Sequence, residues 1–426
     1  MGKILKWTSF ILVLGLILLV TTNCTMLGLN HASLSTADKP APPALSAGII
    51  ARDPAARAAL RAQFEDALYG PWPEGLAPRA VSRKVIDAAY HDGRATLEEV
   101  TVEVGSGEGA RQFHLVVVLP SGPGPHPVII SQTFSSNCAV FPDDPVTSPD
   151  GSLCDGSSMS GPLGFVATQI FGTYIALAPT EWYIDAGIGY ASFYASQLVP
   201  DRKALAPDIM ANLGADTAPT SALMAWAGGF SAAVEVLEAD PRIDPQRTGV
   251  LGHSRHGKSA LLAGAWDDRI DLVIAHQSGF AGSSLSASQT GERLDRMAKT
   301  YPHWVRPGLY SDLSDGEELP VDQHQLIALL APTPVLLGNG RRDVWSDPNS
   351  SYRAVRAAAP AYGEDELPER VPYDGRDLSP GWWLRSGGHS VVEEDIRAFI
   401  DFADQKWHLT SGKQEGGKQT PVQAAN

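Results

Sequence analysis

The sequence predicts an α/β fold, a mostly parallel sheet with helices on both faces. Three observations lead there. Short β-branched or Leu-rich runs alternate with longer segments of helical periodicity. The strand candidates in the second half are continuous apolar runs, as expected of strands buried on both faces. Hydrophobic residues make up 43% of the 426 and charged residues 19%, enough apolar surface to offset the entropy of ordering a chain.

Along the chain, the first segment is a basic start, Lys3 and Lys6, followed by an apolar run from Trp7 to Val20. That order is an export signal. The uncharged stretch continues to Leu29, long enough to cross a bilayer. Cys24, just after the run, resembles the lipidated cysteine of a bacterial lipoprotein signal, although Asn23 stands where a small residue is expected. Residues 1–29 are therefore expected to be a cleaved signal, a membrane anchor or a lipid anchor. All three place the body outside the cytoplasm, in the periplasm or at the cell surface, with membrane association only through this end. Residues 30–47 are rich in Ala, Pro and Ser and read as a linker. One folded domain is expected over 48–409, and a frayed tail over 410–426.

Within that domain, His114–Leu119 and Pro127–Ile130 read as strands separated by Ser-Gly-Pro-Gly, a turn signal. A helix is predicted from about Pro219 to Glu238, with Leu223, Trp226, Phe230, Ala233 and Leu237 on one face. Thr248–Gly252, Leu272–His276 and Pro334–Gly338 are buried-strand candidates, separated by helical segments such as Lys258–Trp266 and Asp322–Leu330. In such sheets chemistry collects at the carboxyl ends of the strands.

Charge and cysteines narrow the classes. Lys plus Arg is 33 and Asp plus Glu 48, a net −15. That balance argues against nucleic-acid partners, because phosphate contacts need clustered cations. Cys138 and Cys154 lie sixteen positions apart. In an oxidising compartment they can pair, which would stabilise the chain by roughly 3 kcal/mol; the alternative is two buried free thiols.

The segment Gly252-His253-Ser254-Arg255-His256-Gly257-Lys258-Ser259 follows a strand and opens a helix. It satisfies the phosphate-binding expression G-x-x-x-x-G-K-S. It also resembles a nucleophile elbow, with Ser254 lifted above the sheet, although the spacing is G-x-S-x-x-G. Context favours the elbow. The next strand ends in His276-Gln277-Ser278, without the carboxylate that Mg²⁺ requires. Asp343 and His389 then follow later strands in the order Ser, Asp, His, the order of serine hydrolases of this architecture. A serine hydroxyl needs a base to become a nucleophile, and an imidazole needs a carboxylate to fix its tautomer. The plain alternatives are that Ser254 caps a helix and that Asp343 pairs with Arg341 or Arg342. Asp347, before Pro348, is expected to fix a turn.

The stretch from Gly252 to Gly264 resembles the Gly-x-Ser-Arg-x-Gly-Lys signature of the glucuronoyl esterases, a family of carbohydrate esterases. Further matches are Leu68-Tyr69-Gly70-Pro-Trp-Pro, Asp271–Gly279, Tyr301-Pro-His303-Trp304, Leu319-Pro-Val-Asp322-Gln-His324, Asp343-Val-Trp345-Ser-Asp-Pro and Arg385-Ser-Gly-Gly-His389. They cover most of residues 60–408 in consistent order. The resemblance implies an α/β-hydrolase fold, a three-layer αβα sandwich with a mostly parallel central sheet. It implies cleavage of 4-O-methyl-glucuronoyl esters that link xylan to lignin alcohols. The serine chemistry needs no metal or organic cofactor, and a monomer is expected.

Carried over by position, Ser254 resembles the nucleophile, His389 the base, Arg255 an oxyanion donor, Lys258 the lysine that contacts sugar hydroxyls and Trp345 the aromatic lining the sugar site. Two positions depart from the pattern. Many relatives use a glutamate as acid where this chain has Gln277, so the acid role falls to Asp343. Relatives often have Glu after Asp-Gln-His and use it on the sugar, where this chain has Gln325. Gln277 and Gln325 are thus expected in the substrate site with less charge. The other tryptophans, Trp182, Trp304, Trp382 and Trp383, fit either core packing or sugar stacking. Two competing functions follow: an acetyl-type carbohydrate esterase, and a catalytically inactive surface carbohydrate-binding protein, for which Gln277 is the motive.

Overall fold

The computed structural model describes residues 30–105, 109–149, 171–211, 213 and 220–409. The predicted signal or anchor (including Cys24), the tail and Cys154 lie outside the described residues. Among the described residues, no helix is long and apolar enough to cross a membrane.

Ten strands form one sheet among the described residues. They are β1 (Arg79–Ala89), β2 (Ala95–Val104), β3 (Arg111–Pro120), β4 (His126–Thr133), β5 (Gly189–Tyr194), β6 (Ile243–His253), β7 (Leu272–His276), β8 (Val335–Gly340), β9 (Asp374–Gly375) and β10 (Gly381–Arg385). Their order is β1-β2-β3-β5-β4-β6-β7-β8-β10-β9. The run β5-β4-β6-β7-β8-β10 is parallel, and antiparallel strands flank it on both sides.

Helices cover both faces. The ones that matter here are α1 (Thr180–Asp185), α2 (Ala222–Glu238), α3 (Arg255–Trp266), α4 (Gln323–Leu329), α5 (Pro348–Ala358) and α6 (Glu393–Trp407). Alternation along each strand assigns the layers. Val250, Val273, Val335 and Leu337 join α2 to α5 in one core. Leu251, Leu272, Ile274 and Leu336 join α1 and α6 in a second core on the opposite face. This is the three-layer sandwich. Helix α2 is buried along nearly its whole length, more than the one-sided apolar stripe predicted, because further chain covers its outer side. Its N-cap Ser221 accepts from the Met224 N–H.

Residues 30–47 are laid along the body rather than standing off it as a linker. Asn349 donates to the carbonyls of Ser33 and Ser35, Arg353 donates to that of Pro40, and Val371 N–H donates to that of Leu34. Polar backbone that would otherwise need water finds donors there. Cys138 is buried and disulfide-bonded.

Candidate active site

The elbow is built by one tight turn between β6 and α3. Ser254 adopts φ 56° and ψ −123°, a strained conformation of the kind that clusters at functional sites. Its N–H donates to the His276 carbonyl at 2.8 Å. A Cβ at Gly252 would lie 1.8 Å from the His256 carbonyl oxygen, so only glycine permits the turn. The Ser254 side chain makes no cap bond to α3, which removes the plain helix-cap reading.

Asp343 follows β8 and His389 follows β10, at the same end of the parallel strands. His389 Nδ1 lies 2.7 Å from Asp343 Oδ2. The imidazole is 25% exposed and the carboxylate 2%, so the ring reaches outward while its anchor is sealed. Burial alone would push the Asp343 carboxyl up. The charge and hydrogen bond of His389, with bonds from Ser346, outweigh it and hold the carboxyl below its ordinary value. The His389 ring packs on His253, centroids 4.7 Å apart, which sets it beside the residue preceding Ser254. His253 is itself buried, and its pKa is driven far down, first by that burial and then by the neighbouring imidazoles and Arg385. It stays neutral.

On the other side of Ser254 stand paired charges. Arg255 Nε is 3.1 Å from Asp201 Oδ2, and its guanidinium lies 4.5 Å from the centre of the Phe134 ring. Asp201 Oδ1 accepts from Trp304 Nε1 at 2.7 Å and lies 2.8 Å from His303 Nε2. Burial opposes ionisation of Asp201, but these bonds and the Arg255 charge lower its pKa to about 2. Lys258 does not sit where a phosphate lysine would. Its Nζ is buried and donates to the carbonyls of Ser278 and Phe280, both at 2.6 Å. Burial lowers its pKa to about 8, against the opposing pull of Glu292 and Asp343.

The amide of Gln277 is spent on the protein, Nε2 donating to the Gly388 carbonyl at 2.7 Å. Gln325 caps α4, its Oε1 accepting from Asp322 N–H at 2.8 Å in a capping box. Glu292 lies within electrostatic reach of Lys258, His389 and Asp343, and burial raises its pKa. Sequence reasoning missed Glu292 and Asp201, because lone acids in loops carry no motif. Trp345 is half-buried and its carbonyl accepts from Glu292 N–H, with Arg296 over its ring at 5.6 Å. Trp304 and Trp382 are buried; Trp304 stacks on Tyr301 at 3.9 Å. Asp347 caps α5 through Ser350 N–H. Gln132, near the carboxyl end of β4, bridges two helices, accepting from Ser259 Oγ and donating to the Trp226 carbonyl. Among the described residues no group of three or more His, Cys, Asp or Glu is arranged to hold a metal ion.

The chain matches known proteins along most of its length. Residues 157–364 match the family described as glucuronyl esterase, fungi. A carbohydrate esterase from an unknown prokaryotic organism is 31% identical over 370 residues, 82% of this chain and 84% of the relative. The 4-O-methyl-glucuronoyl methylesterase 1 of Phanerochaete chrysosporium is 29% identical over 55% of this chain and 52% of its own. Two solved structures superimpose well. A promiscuous CE15 esterase from a marine bacterial metagenome has a TM-score of 0.72 at 29% identity, covering 85% of this chain and 93% of that one. A glucuronoyl esterase from Solibacter usitatus has a TM-score of 0.69 at 25% identity, covering 89% and 98%.

Proposed function

The chain belongs to the glucuronoyl esterase family of carbohydrate esterases, and from that premise we propose that it hydrolyses esters of 4-O-methyl-glucuronic acid in glucuronoxylan, with Ser254, His389 and Asp343 as its triad. The observation that carries the reading is the 2.7 Å contact between His389 Nδ1 and the sealed carboxylate of Asp343. It leaves Nε2 as the nitrogen free to act as base.

In the reaction, Ser254 Oγ attacks the ester carbonyl and its proton passes to His389 Nε2. Asp343 stabilises the imidazolium without taking the proton. The tetrahedral oxyanion is met by the Arg255 backbone N–H, with the Asp201-braced guanidinium nearby; losing one such donor typically costs a factor of about 10²–10³. Collapse breaks the bond to the alcohol, which leaves with the proton from His389. Water, activated by the same imidazole, then attacks the acyl-serine and releases the uronic acid. Lys258 and Glu292 supply donor and acceptor to the sugar hydroxyls, and Trp345 its apolar wall. The N-terminal pattern and the bonded Cys138 support action outside the cytoplasm.

The test pairs a methyl ester of 4-O-methyl-glucuronate with acetylated xylan. Release of methanol by the wild type, abolished in Ser254→Ala, is the expected result. Release of acetate alone would point to the acetyl-esterase reading, and turnover absent from both substrates to a binding protein.

A further inference from the structure

Gln277 occupies a position where a substrate contact is expected, yet its side chain faces the protein. We infer that Gln277 and Arg385 are positioning residues, which together grip the backbone on either side of His389 and so set its ring for proton transfer. The inference rests on the hydrolase reading above.

The grip is made of donors on carbonyls. Gly388 O accepts from Gln277 Nε2 at 2.7 Å and from Arg385 Nη2 at 2.9 Å. The same Nη2 donates to the Ser390 carbonyl at 2.6 Å and to Ser390 Oγ at 2.7 Å. His389 is thus flanked by two carbonyls held from one guanidinium. Arg385 in turn is locked by Asp395 of α6, its Nε lying 2.9 and 2.7 Å from the two carboxylate oxygens. Asp395 also accepts from Trp383 Nε1 and Val392 N–H. Both ions are buried, Arg385 at 4% and Asp395 at 0% exposure. A planar fork serves several fixed acceptors at once in a way an ammonium cannot.

The orientation of the Gln277 amide is forced. Turned over, its oxygen would meet the Gly388 oxygen at hydrogen-bond distance. In the orientation present, Oε1 is buried without a partner. An apolar side chain would avoid that unpaired oxygen, so the donor is what this position uses. The backbone is bent to deliver it: Gln277 sits at φ 50°, with its N–H on the Gly338 carbonyl at 2.7 Å. Room is made by Gly340, where a Cβ would lie 2.5 Å from Gln277 Nε2 and 2.7 Å from the Gly388 oxygen. The loop carrying the acid is sewn to the same backbone, Arg342 N–H donating to the Gly387 carbonyl at 2.9 Å. Acid and base loops therefore share one frame. Displacing a catalytic group by an ångström costs about two orders of magnitude in rate, which is the scale such a frame guards.

Gln277→Leu removes the donor at similar volume. Arg385→Lys keeps the charge on Asp395 and loses the fork. Two rates are read: turnover of the methyl glucuronate ester, and modification of Ser254 by phenylmethanesulfonyl fluoride, which needs His389 but no sugar contact. In Gln277→Leu and Arg385→Lys, kcat and the labelling rate are expected to fall together by roughly 10- to 100-fold with KM nearly unchanged. A raised KM with wild-type labelling would make Gln277 a sugar contact and overturn the inference, as would unchanged kcat in Gln277→Leu. Wild-type protein that is not labelled at Ser254 would instead overturn the hydrolase reading on which the clamp depends.

Discussion

The two sides of Ser254 are built on different physical principles. On the acid–base side, the loops bearing Asp343 and His389 are held mainly by hydrogen bonds to backbone carbonyls, such as Arg341 N–H to Arg385 O at 2.8 Å and Arg342 N–H to Gly387 O at 2.9 Å. Its carboxylates are buried in fixed pairs, Asp343 with the His389 ring and Asp395 with Arg385. On the side proposed to hold the sugar, Lys258 and Glu292 act on each other electrostatically without a direct ion pair among the described residues, and burial shifts both toward neutrality. The first arrangement fixes geometry. The second leaves donors and acceptors with unspent capacity for a hydroxylated ligand, at the cost of sensitivity to pH. On the proposed function, a site that must both align a reaction and recognise a sugar divides these demands between its two walls.

The comparison breaks first at the acid. Asp343→Asn keeps the shape but stabilises the wrong imidazole tautomer, so kcat should fall about 10³- to 10⁴-fold with little change in KM. A loss below tenfold in steady-state assays would mean another acid serves His389.

On the sugar wall the split should reverse. Lys258→Met and Glu292→Gln should raise KM by roughly tenfold, with kcat less affected, since each loses a hydrogen bond to a charged group. A pure kcat defect in either would place it with the triad.

A smaller effect follows from Lys258 itself. Its pKa of about 8 means it is charged below that pH and neutral above. KM should rise a few-fold as pH climbs through about 8 and should stay flat in Lys258→Met. The smallest effect concerns Asp201. Its folded pKa, about 2, lies below the ordinary 3.8, so its contribution to stability is present above that ordinary value and is lost as pH falls toward 2. Asp201→Asn should flatten that part of the melting temperature profile, and an unchanged slope would deny that the Arg255 brace is electrostatic.

Much of this was legible in the sequence because its signals are local. Leu272–His276 is read as a strand and is one, and Ser254 stands on a strand–turn–helix whose glycine is compelled by a close backbone approach. Strands β1 and β2 were not legible. β1 is exposed along its length, and β2 buries Glu98 and Glu99 in its middle, which hides the alternation. Glu98 is tolerated because Arg83 and Arg242 pair with it at 2.7 and 2.6 Å, partners more than a hundred residues apart from each other.

The sequence by itself determined the layered α/β architecture and the order Ser254, Asp343, His389, because periodicity, turn chemistry and a motif are written in neighbouring residues. Tertiary structure alone decided that Gln277 grips Gly388, that Gln325 caps a helix and that Glu292 acts on the charge of Lys258. A polar side chain's identity states what bonds it can make, and only the packed fold, by bringing distant carbonyls and charges within about 3 Å, selects which of them it does make.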